Sequence, residues 1–162
     1  GLAWDPRLAR LYVAGSVSVG GVARAAVAAV TSSGSLDTGF STDGRAVIGG
    51  NGTDFRQAAL DGLGRLVVAG TSGLGSDEAF YAVRLFSTGG LDGTFGSGGA
   101  TSVDLDVVAS GTDLGNALAL LPGSIAVAGN VERSASTVVG IVRLTQSLLF
   151  ADGFESGDQS GW

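Results

Sequence analysis

The sequence predicts an all-β fold built from tandem repeats. The tripeptide Val-Ala-Gly occurs at residues 13–15, 68–70 and 127–129, so the interval between successive copies is nearly constant. Short apolar stretches alternate with turns rich in Gly, Asp and Ser, as in meandering antiparallel sheets. No window keeps helical apolar spacing over enough residues for a helix. About three four-stranded antiparallel units are therefore expected, arranged as the blades of a partial β-propeller.

Further landmarks keep the same intervals. Leu-Asp-Thr-Gly-Phe at 36–40 returns as Leu-Asp-Gly-Thr-Phe at 91–95, and Val-Arg-Leu at 83–85 returns at 142–144. These intervals divide the chain into repeats at about 1–53, 54–112 and 113–147, followed by a tail at 148–162. The tail is similar to those that end many exported Gram-negative proteins. The tail can also complete the last repeat. Phe154 lies as far after Phe95 as the third Val-Ala-Gly copy lies after the second.

The second repeat shows the expected strands most clearly. We predict strands at 55–60, 65–70, 80–86 and 100–106, with turns at 61–64 and 92–99 and a loop over 71–78. Residues 66–69 read Leu-Val-Val-Ala, so both faces of that strand are apolar. A sheet exposed on one face would alternate, so this strand is expected to be covered on both faces. Stacked propeller blades provide that environment, whereas a β-solenoid would use a shorter repeat.

Three segments carry a family resemblance. Ala-Val-Arg-Leu at 82–85, Gly-Gly-Leu-Asp-Gly-Thr-Phe-Gly at 89–96 and Ala-Leu-Ala-Leu at 117–120 resemble the delta-60 repeat family. The resemblance implies a bacterial, mostly exported tandem repeat that forms β-propellers. The family has no assigned enzymatic activity, so it supplies no catalytic residues. The first copy departs from the pattern, with Ala29 where the others have Arg84 and Arg143.

Composition excludes several kinds of chemistry. The chain has no Cys and no His, and all nine of its cationic side chains are Arg. Without Cys, the chain can form neither a disulfide nor a zinc site built on sulfur. Without His, it lacks the usual general base near neutral pH. Without Lys, it can form neither a Walker-type phosphate loop nor a Schiff base. The net charge of −6 repels phosphate backbones, and no apolar stretch reaches the length of a membrane span. We expect no cofactor, no metal, no nucleic-acid partner and no membrane span.

The most visible repeated polar residues are turn aspartates. Asp37 and Asp92 are predicted to cap turns by accepting bonds from nearby backbone amides. The aromatic residues of the same motifs would fill the core; these are Phe40, Phe95 and Phe154. A calcium role would need more oxygen ligands. For Arg84 and Arg143 we expect an ion pair at a blade edge or a contact with a turn Asp. An anion-binding ring is the alternative, which Ala29 interrupts.

Positions where the repeat fails are candidates for ligand binding. Asp104 and Asp106 lie two residues apart, on one side of a predicted strand, and Asp77 and Glu78 lie in the predicted loop. Paired carboxylates can perform acid–base chemistry or bind a cation. They can equally be solvated charges that protect a sheet edge.

These observations favour a non-catalytic propeller module of an exported or cell-surface bacterial protein, acting as a binding or scaffolding platform. Its partners would be further blades of the same longer chain and a protein or glycan ligand. One alternative is a carboxylate-based glycan hydrolase or lyase, with Asp104 and Asp106 in a concave pocket. Another is a passive spacer of a larger adhesin. Three blades do not close a ring, so the isolated segment is expected to be poorly stable.

Overall fold

A computed structural model describes residues 1–74, 77–105, 111–133 and 136–145. These residues form three antiparallel sheets and no helix, which confirms the all-β prediction. No helix long and apolar enough to cross a membrane occurs among them. The strands are β1 (Leu2–Asp5), β2 (Arg10–Val19), β3 (Val22–Thr31), β4 (Arg45–Ile48), β5 (Asp54–Leu60), β6 (Leu66–Leu74), β7 (Asp77–Leu85), β8 (Ala100–Val103), β9 (Asp113–Leu121), β10 (Ser124–Arg133) and β11 (Ser136–Thr145).

Each sheet is a meander in which strands adjacent in sequence pair with one another. The first sheet has the order β1-β2-β3-β4 and the second has the order β5-β6-β7-β8. The four-stranded unit expected from the sequence is therefore present twice. The third sheet comprises β9, β10 and β11. The rest of the third predicted unit, after Thr145, lies outside the described residues together with the tail at 148–162.

Two details of the second sheet differ from the sequence-based expectation. The loop predicted over 71–78 is wrong, because β6 continues to Leu74 and β7 already begins at Asp77. The polar residues there suggested a loop, but their backbones extend the hairpin in register, with Thr71 opposite Phe80. Strand β8 also ends at Val103, since β7 pairs with it only over four residues.

The second sheet is covered on both faces, as predicted. Leu66 and Val68 pack into a core shared with the first sheet. Val67 and Ala69, the intervening residues, pack into a core shared with the third sheet. All four side chains are at most 1% exposed. The three sheets thus stack face to face, and the first strands β1, β5 and β9 contact one another in sequence. This is the arrangement of propeller blades about an axis.

The glycine of the repeated Val-Ala-Gly tripeptide has a steric role. A β-bulge shifts the register opposite Gly70, and another occurs beside Gly129. A Cβ at Gly70 would collide with the carbonyl oxygen of Asp54, and one at Gly129 with that of Leu114. Glycine is required at these two positions because the backbone of the first strand of the second or third sheet approaches too closely for a side chain. Gly15, the copy in the first sheet, has open space around it.

Candidate functional site

Two turns with the same main-chain hydrogen bonds follow the third strands of the first and second sheets. In the second sheet, the Asp92 amide donates to the Arg84 carbonyl over 2.9 Å, and the Phe95 amide donates to the Asp92 carbonyl over 3.0 Å. One carboxylate oxygen, Asp92 Oδ1, accepts bonds from the Thr94 amide at 3.1 Å and from Thr94 Oγ1 at 2.6 Å. Phe95 is buried beneath the turn. The Asp therefore fixes the turn while the Phe anchors it in the core.

The first sheet repeats the main-chain bonds of this turn and the amide bond to the Asp carboxylate, while Gly39 lacks the hydroxyl that Thr94 provides. The Asp37 amide donates to the Ala29 carbonyl over 2.8 Å, and the Phe40 amide donates to the Asp37 carbonyl over 3.0 Å. Asp37 Oδ1 accepts from the Gly39 amide at 2.9 Å, and Phe40 is completely buried. We call these two structures the Asp turns, at residues 37–40 and 92–95.

The second Asp turn holds a buried ion cluster. Asp92 Oδ2 accepts from Arg84 Nε at 2.8 Å and from Arg65 Nη1 at 3.1 Å. The Arg84 and Asp92 side chains are each 1% exposed. Burial alone would raise the pKa of Asp92, but bonds from Thr94 and the charge of Arg84 outweigh it and hold that pKa below its usual value. Arg84 also lies 5.0 Å from the ring centre of Phe95, within range for a cation–π contact.

In the first Asp turn a different arginine supplies the charge. Arg10 Nε donates to Asp37 Oδ2 over 2.7 Å. The Gly39 amide and then Arg10 hold the pKa of Asp37 below its usual value. Arg10 is the counterpart of Arg65, one repeat earlier in the chain. Ala29 replaces Arg84 here, so one arginine serves this turn where two serve the other.

Sequence reasoning missed Arg10 and Arg65, although the signal was present. The interval between them is the same as the interval that separates Asp37 from Asp92. In the third sheet the corresponding position is Ser124, and Arg143 Nε donates to its hydroxyl over 3.0 Å. Phe154, the predicted third aromatic anchor, lies outside the described residues.

The first Asp turn also joins two sheets. Arg10 Nη1 donates to the Ser87 carbonyl, and the Ser41 amide donates to the Thr88 carbonyl over 2.7 Å. Ser87 and Thr88 lie in the turn that follows β7 of the second sheet. The arginine thus connects its own Asp turn to the backbone of the neighbouring blade. Arg10 therefore has a structural role, because the groups that accept its hydrogen bonds belong to the protein itself.

The candidate ligand-binding carboxylates lie elsewhere. Asp77 and Glu78 begin β7, and the predicted loop placement is therefore wrong. Asp104 is exposed and follows β8 instead of lying within it, while Asp106 lies outside the described residues. Phe80 pairs with Val103, so the described carboxylates occur at the same end of the second sheet. Within the described part of the chain, no group of three or more His, Cys, Asp or Glu could hold a metal ion.

Two clefts of about 320 Å³ occur elsewhere on the surface. One lies between the β5–β6 turn and the β9–β10 hairpin, where Asp61, Leu121 and Pro122 contribute to its wall. Asp61 Oδ2 accepts from Arg65 Nε at 2.7 Å, and Asp61 Oδ1 accepts from the Leu63 and Arg65 amides at 2.9 Å. The acid in this cleft is therefore occupied by protein donors. Neither cleft is lined by Asp77, Glu78 or Asp104.

Comparison with known proteins identifies the repeated unit. Residues 10–40 and 64–95 match the model of a family described as a domain of unknown function (DUF5122) beta-propeller. No curated protein matches the sequence. The first matched segment runs from Arg10 to Phe40, and the second contains both Arg65 and Phe95, so each includes one complete Asp turn with its arginine. These two segments are therefore similar to that β-propeller family, which confirms the resemblance to a β-propeller repeat family suggested by the sequence motifs.

Proposed function

We propose that the chain is a non-catalytic propeller module of an exported or cell-surface protein, where it acts as a binding or scaffolding platform. One observation carries this proposal. The polar residues that recur between repeats bond to the protein itself, since Asp92 accepts four bonds from Arg84, Arg65 and Thr94. The recurring chemistry maintains the blades. The resemblance to a mostly exported repeat family supports the proposed location.

Ligand contact is assigned to the end of the second sheet that carries the non-repeated acids. Asp77 opens β7, Glu78 forms a parallel bridge with Thr112 just before β9, and Asp104 follows β8. Asp77 and Asp104 are exposed. Residues that differ between otherwise similar blades are free of the constraints of stacking, so they can vary with the ligand. A protein or glycan with exposed cationic or hydroxyl groups fits this end.

The test compares wild-type protein with the Asp77→Asn/Glu78→Gln/Asp104→Asn variant. Glycan arrays and immobilised basic peptides measure binding, while release of reducing ends and of unsaturated sugars measures hydrolase and lyase activity. We expect wild-type binding without turnover, and at least a tenfold weaker signal for the variant. Asp43→Asn, which alters an exposed acid of the first sheet, is the control and should bind normally.

Other outcomes contradict the proposal in different ways. Turnover by the wild type that disappears in the triple variant would establish the carboxylate enzyme instead. Absence of binding to every probe would favour a passive spacer. Equal binding by wild type and triple variant would assign the ligand to another surface.

A further inference from the structure

A cleft of about 320 Å³ opens beside the last two strands of the second sheet. Its described lining consists of Tyr81 of β7, Ser97 of the turn before β8, and Ala100, Thr101 and Ser102 of β8. The volume lies in the range of about 300 to 1,000 Å³ that is usual for small-molecule sites. The strand register places Tyr81 opposite Ser102, so both side chains lie on the same face of the sheet. An aromatic ring and hydroxyl groups thus line one cleft.

The tyrosine of this cleft is a departure from the repeat. The first sheet has Ala26 at the position of Tyr81, and the third sheet has Gly140. All three lie opposite the glycine of the Val-Ala-Gly copy in their own sheet. An aromatic ring can cover a bare glycine in a sheet, but the first and third sheets fold without one. Ser102 likewise replaces Val47 of the first sheet. The blade itself therefore does not require either residue.

The Tyr81 ring is held in a fixed position. It stacks on Phe55 with the two ring planes 2° apart and the ring centres 5.9 Å apart, a favourable offset arrangement. Phe55 is 3% exposed, so it forms a firm support beneath the tyrosine. Burial raises the pKa of the Tyr81 hydroxyl. The hydroxyl therefore keeps its proton at neutral pH, and it can donate a hydrogen bond as well as accept one.

The cleft offers hydrogen-bonding groups and no charge. The side-chain hydroxyls of Tyr81, Ser97 and Ser102 form no hydrogen bond within the part of the chain that the structure describes. No charged side chain is among the described residues that line the cleft, although the whole chain carries a net charge of −6. A ligand that matches this surface is neutral, with one apolar face and hydroxyl groups around its edge.

We propose that this cleft binds a pyranose ring of a neutral glycan. A pyranose has a face of C–H groups, whose hydrogens are attracted to the negative face of an aromatic ring. Its rim carries hydroxyls that both donate and accept. Tyr81 contacts the C–H face, while Ser97 and Ser102 bond to the hydroxyls. The inference goes beyond the proposed function, because the acids to which ligand contact is assigned there do not line the cleft.

Saturation-transfer NMR and isothermal titration calorimetry test the proposal on the 162-residue chain. The probes are maltotriose, cellotriose and mannotriose, which present neutral pyranose rings in different linkages. Sorbitol is the control ligand, because it has hydroxyl groups without a ring face. We expect at least one trisaccharide to bind, with saturation strongest at the C–H protons of one ring, and we expect no binding of sorbitol.

Variants that restore first-sheet residues locate the site. Tyr81→Ala and Ser102→Val install the pair Ala26 and Val47, which the first sheet already accommodates in register. Tyr81→Ala should weaken binding by about tenfold because the stacking surface is lost. Tyr81→Phe keeps the ring and should weaken binding less. Thr42→Ala, at the exposed first-sheet counterpart of Ser97, is the control and should bind as wild type does.

Folding of each variant is verified by circular dichroism. If Tyr81→Ala does not fold, Ser102→Val decides, because loss of a hydroxyl at the cleft should still weaken binding. Failure of all three trisaccharides to bind would overturn the proposal. Equal binding by wild type and the folded cleft variants would overturn it too, as would sorbitol binding as tightly as the trisaccharides.

The same titration distinguishes this cleft from the acidic end of the sheet. The Asp77→Asn/Glu78→Gln/Asp104→Asn variant should bind the trisaccharides as wild type does. Loss of trisaccharide binding in that variant, with normal binding by Tyr81→Ala, would overturn this inference while supporting the proposed function. Loss in Tyr81→Ala alone would support the cleft, whatever the acids contribute to other ligands.

Discussion

Removing the carboxylate of Asp92 should destabilise the protein more than removing any exposed acid. Asp92→Ala would leave Arg84, whose side chain is 1% exposed, without its anion at 2.8 Å. Breaking a buried ion pair by deleting one partner costs about 3 to 5 kcal/mol, since the remaining charge stays desolvated. At about 2 to 4 °C per kcal/mol for a chain of this size, the melting temperature should fall by about 6 to 20 °C.

Asp43→Ala is the matched control. Asp43 pairs with Arg45 at 3.8 Å, and both side chains are more than half exposed, so its loss should change the free energy of unfolding by less than about 0.5 kcal/mol. Far-UV circular dichroism during urea and thermal unfolding measures both variants. The Arg84→Met/Asp92→Leu variant replaces the pair by apolar groups of similar size, and it should remain within about 1 kcal/mol of wild type or exceed it.

The reasoning fails if Asp92→Ala and Asp43→Ala melt at the same temperature. It also fails if the Arg84→Met/Asp92→Leu variant is as unstable as Asp92→Ala, because the loss would then arise from the turn bonds to Thr94 and not from an unpaired charge. An Asp92→Ala protein that does not fold at all, beside a folded double variant, would agree with the expected order.

Three further predictions follow from the turns and the core. Folding lowers the pKa values of both turn aspartates. Their contribution to the stability of the fold is therefore complete above about pH 4 and is lost as pH falls through the folded pKa values. The urea midpoint, measured as a function of pH, should drop in that range. Gly70→Ala should destabilise through collision with a backbone carbonyl, whereas Gly62→Ala, with open space around it, should be neutral in thermal melts. Leu66→Ala should cost about 2 to 5 kcal/mol in urea unfolding, and Leu63→Ala, 75% exposed, less than about 0.5 kcal/mol.

The fold was predictable because its signals are local and repeated. Burial on both faces is visible in four consecutive apolar residues at 66–69, and stacking follows from it. The extension of β6 to Leu74 was not predictable, because Ser72 and Gly73 carry loop signals while pairing with β7 holds them in a strand. The sequence shows only which conformation each side chain prefers. The main-chain hydrogen bonds at the solvent-exposed end of a hairpin can form without apolar residues.

The ion clusters were only partly predictable. Asp37 and Asp92 stand out because their motifs repeat within a few residues. Arg10 is 27 residues from its acid, and the two meet only after two strands and a turn have folded. The repeat interval links Arg10 to Arg65, but it does not indicate which acid either one contacts. Which acid each arginine pairs with depends on the folded structure, whereas the equivalence of positions in different repeats can be read from the sequence.

The close approach at Gly70 affects how the second and third sheets stack. A Cβ at Gly115 in β9 would collide with the Gly70 carbonyl oxygen in β6, so bare main chain separates the second and third sheets at that point. Nearer β8, the same two sheets are held apart by the rings of Phe80 and Phe95. Small residues at one edge and aromatic rings at the other favour a wedge-shaped gap between these sheets. Sheets stacked with such gaps follow a curve about an axis, as propeller blades do.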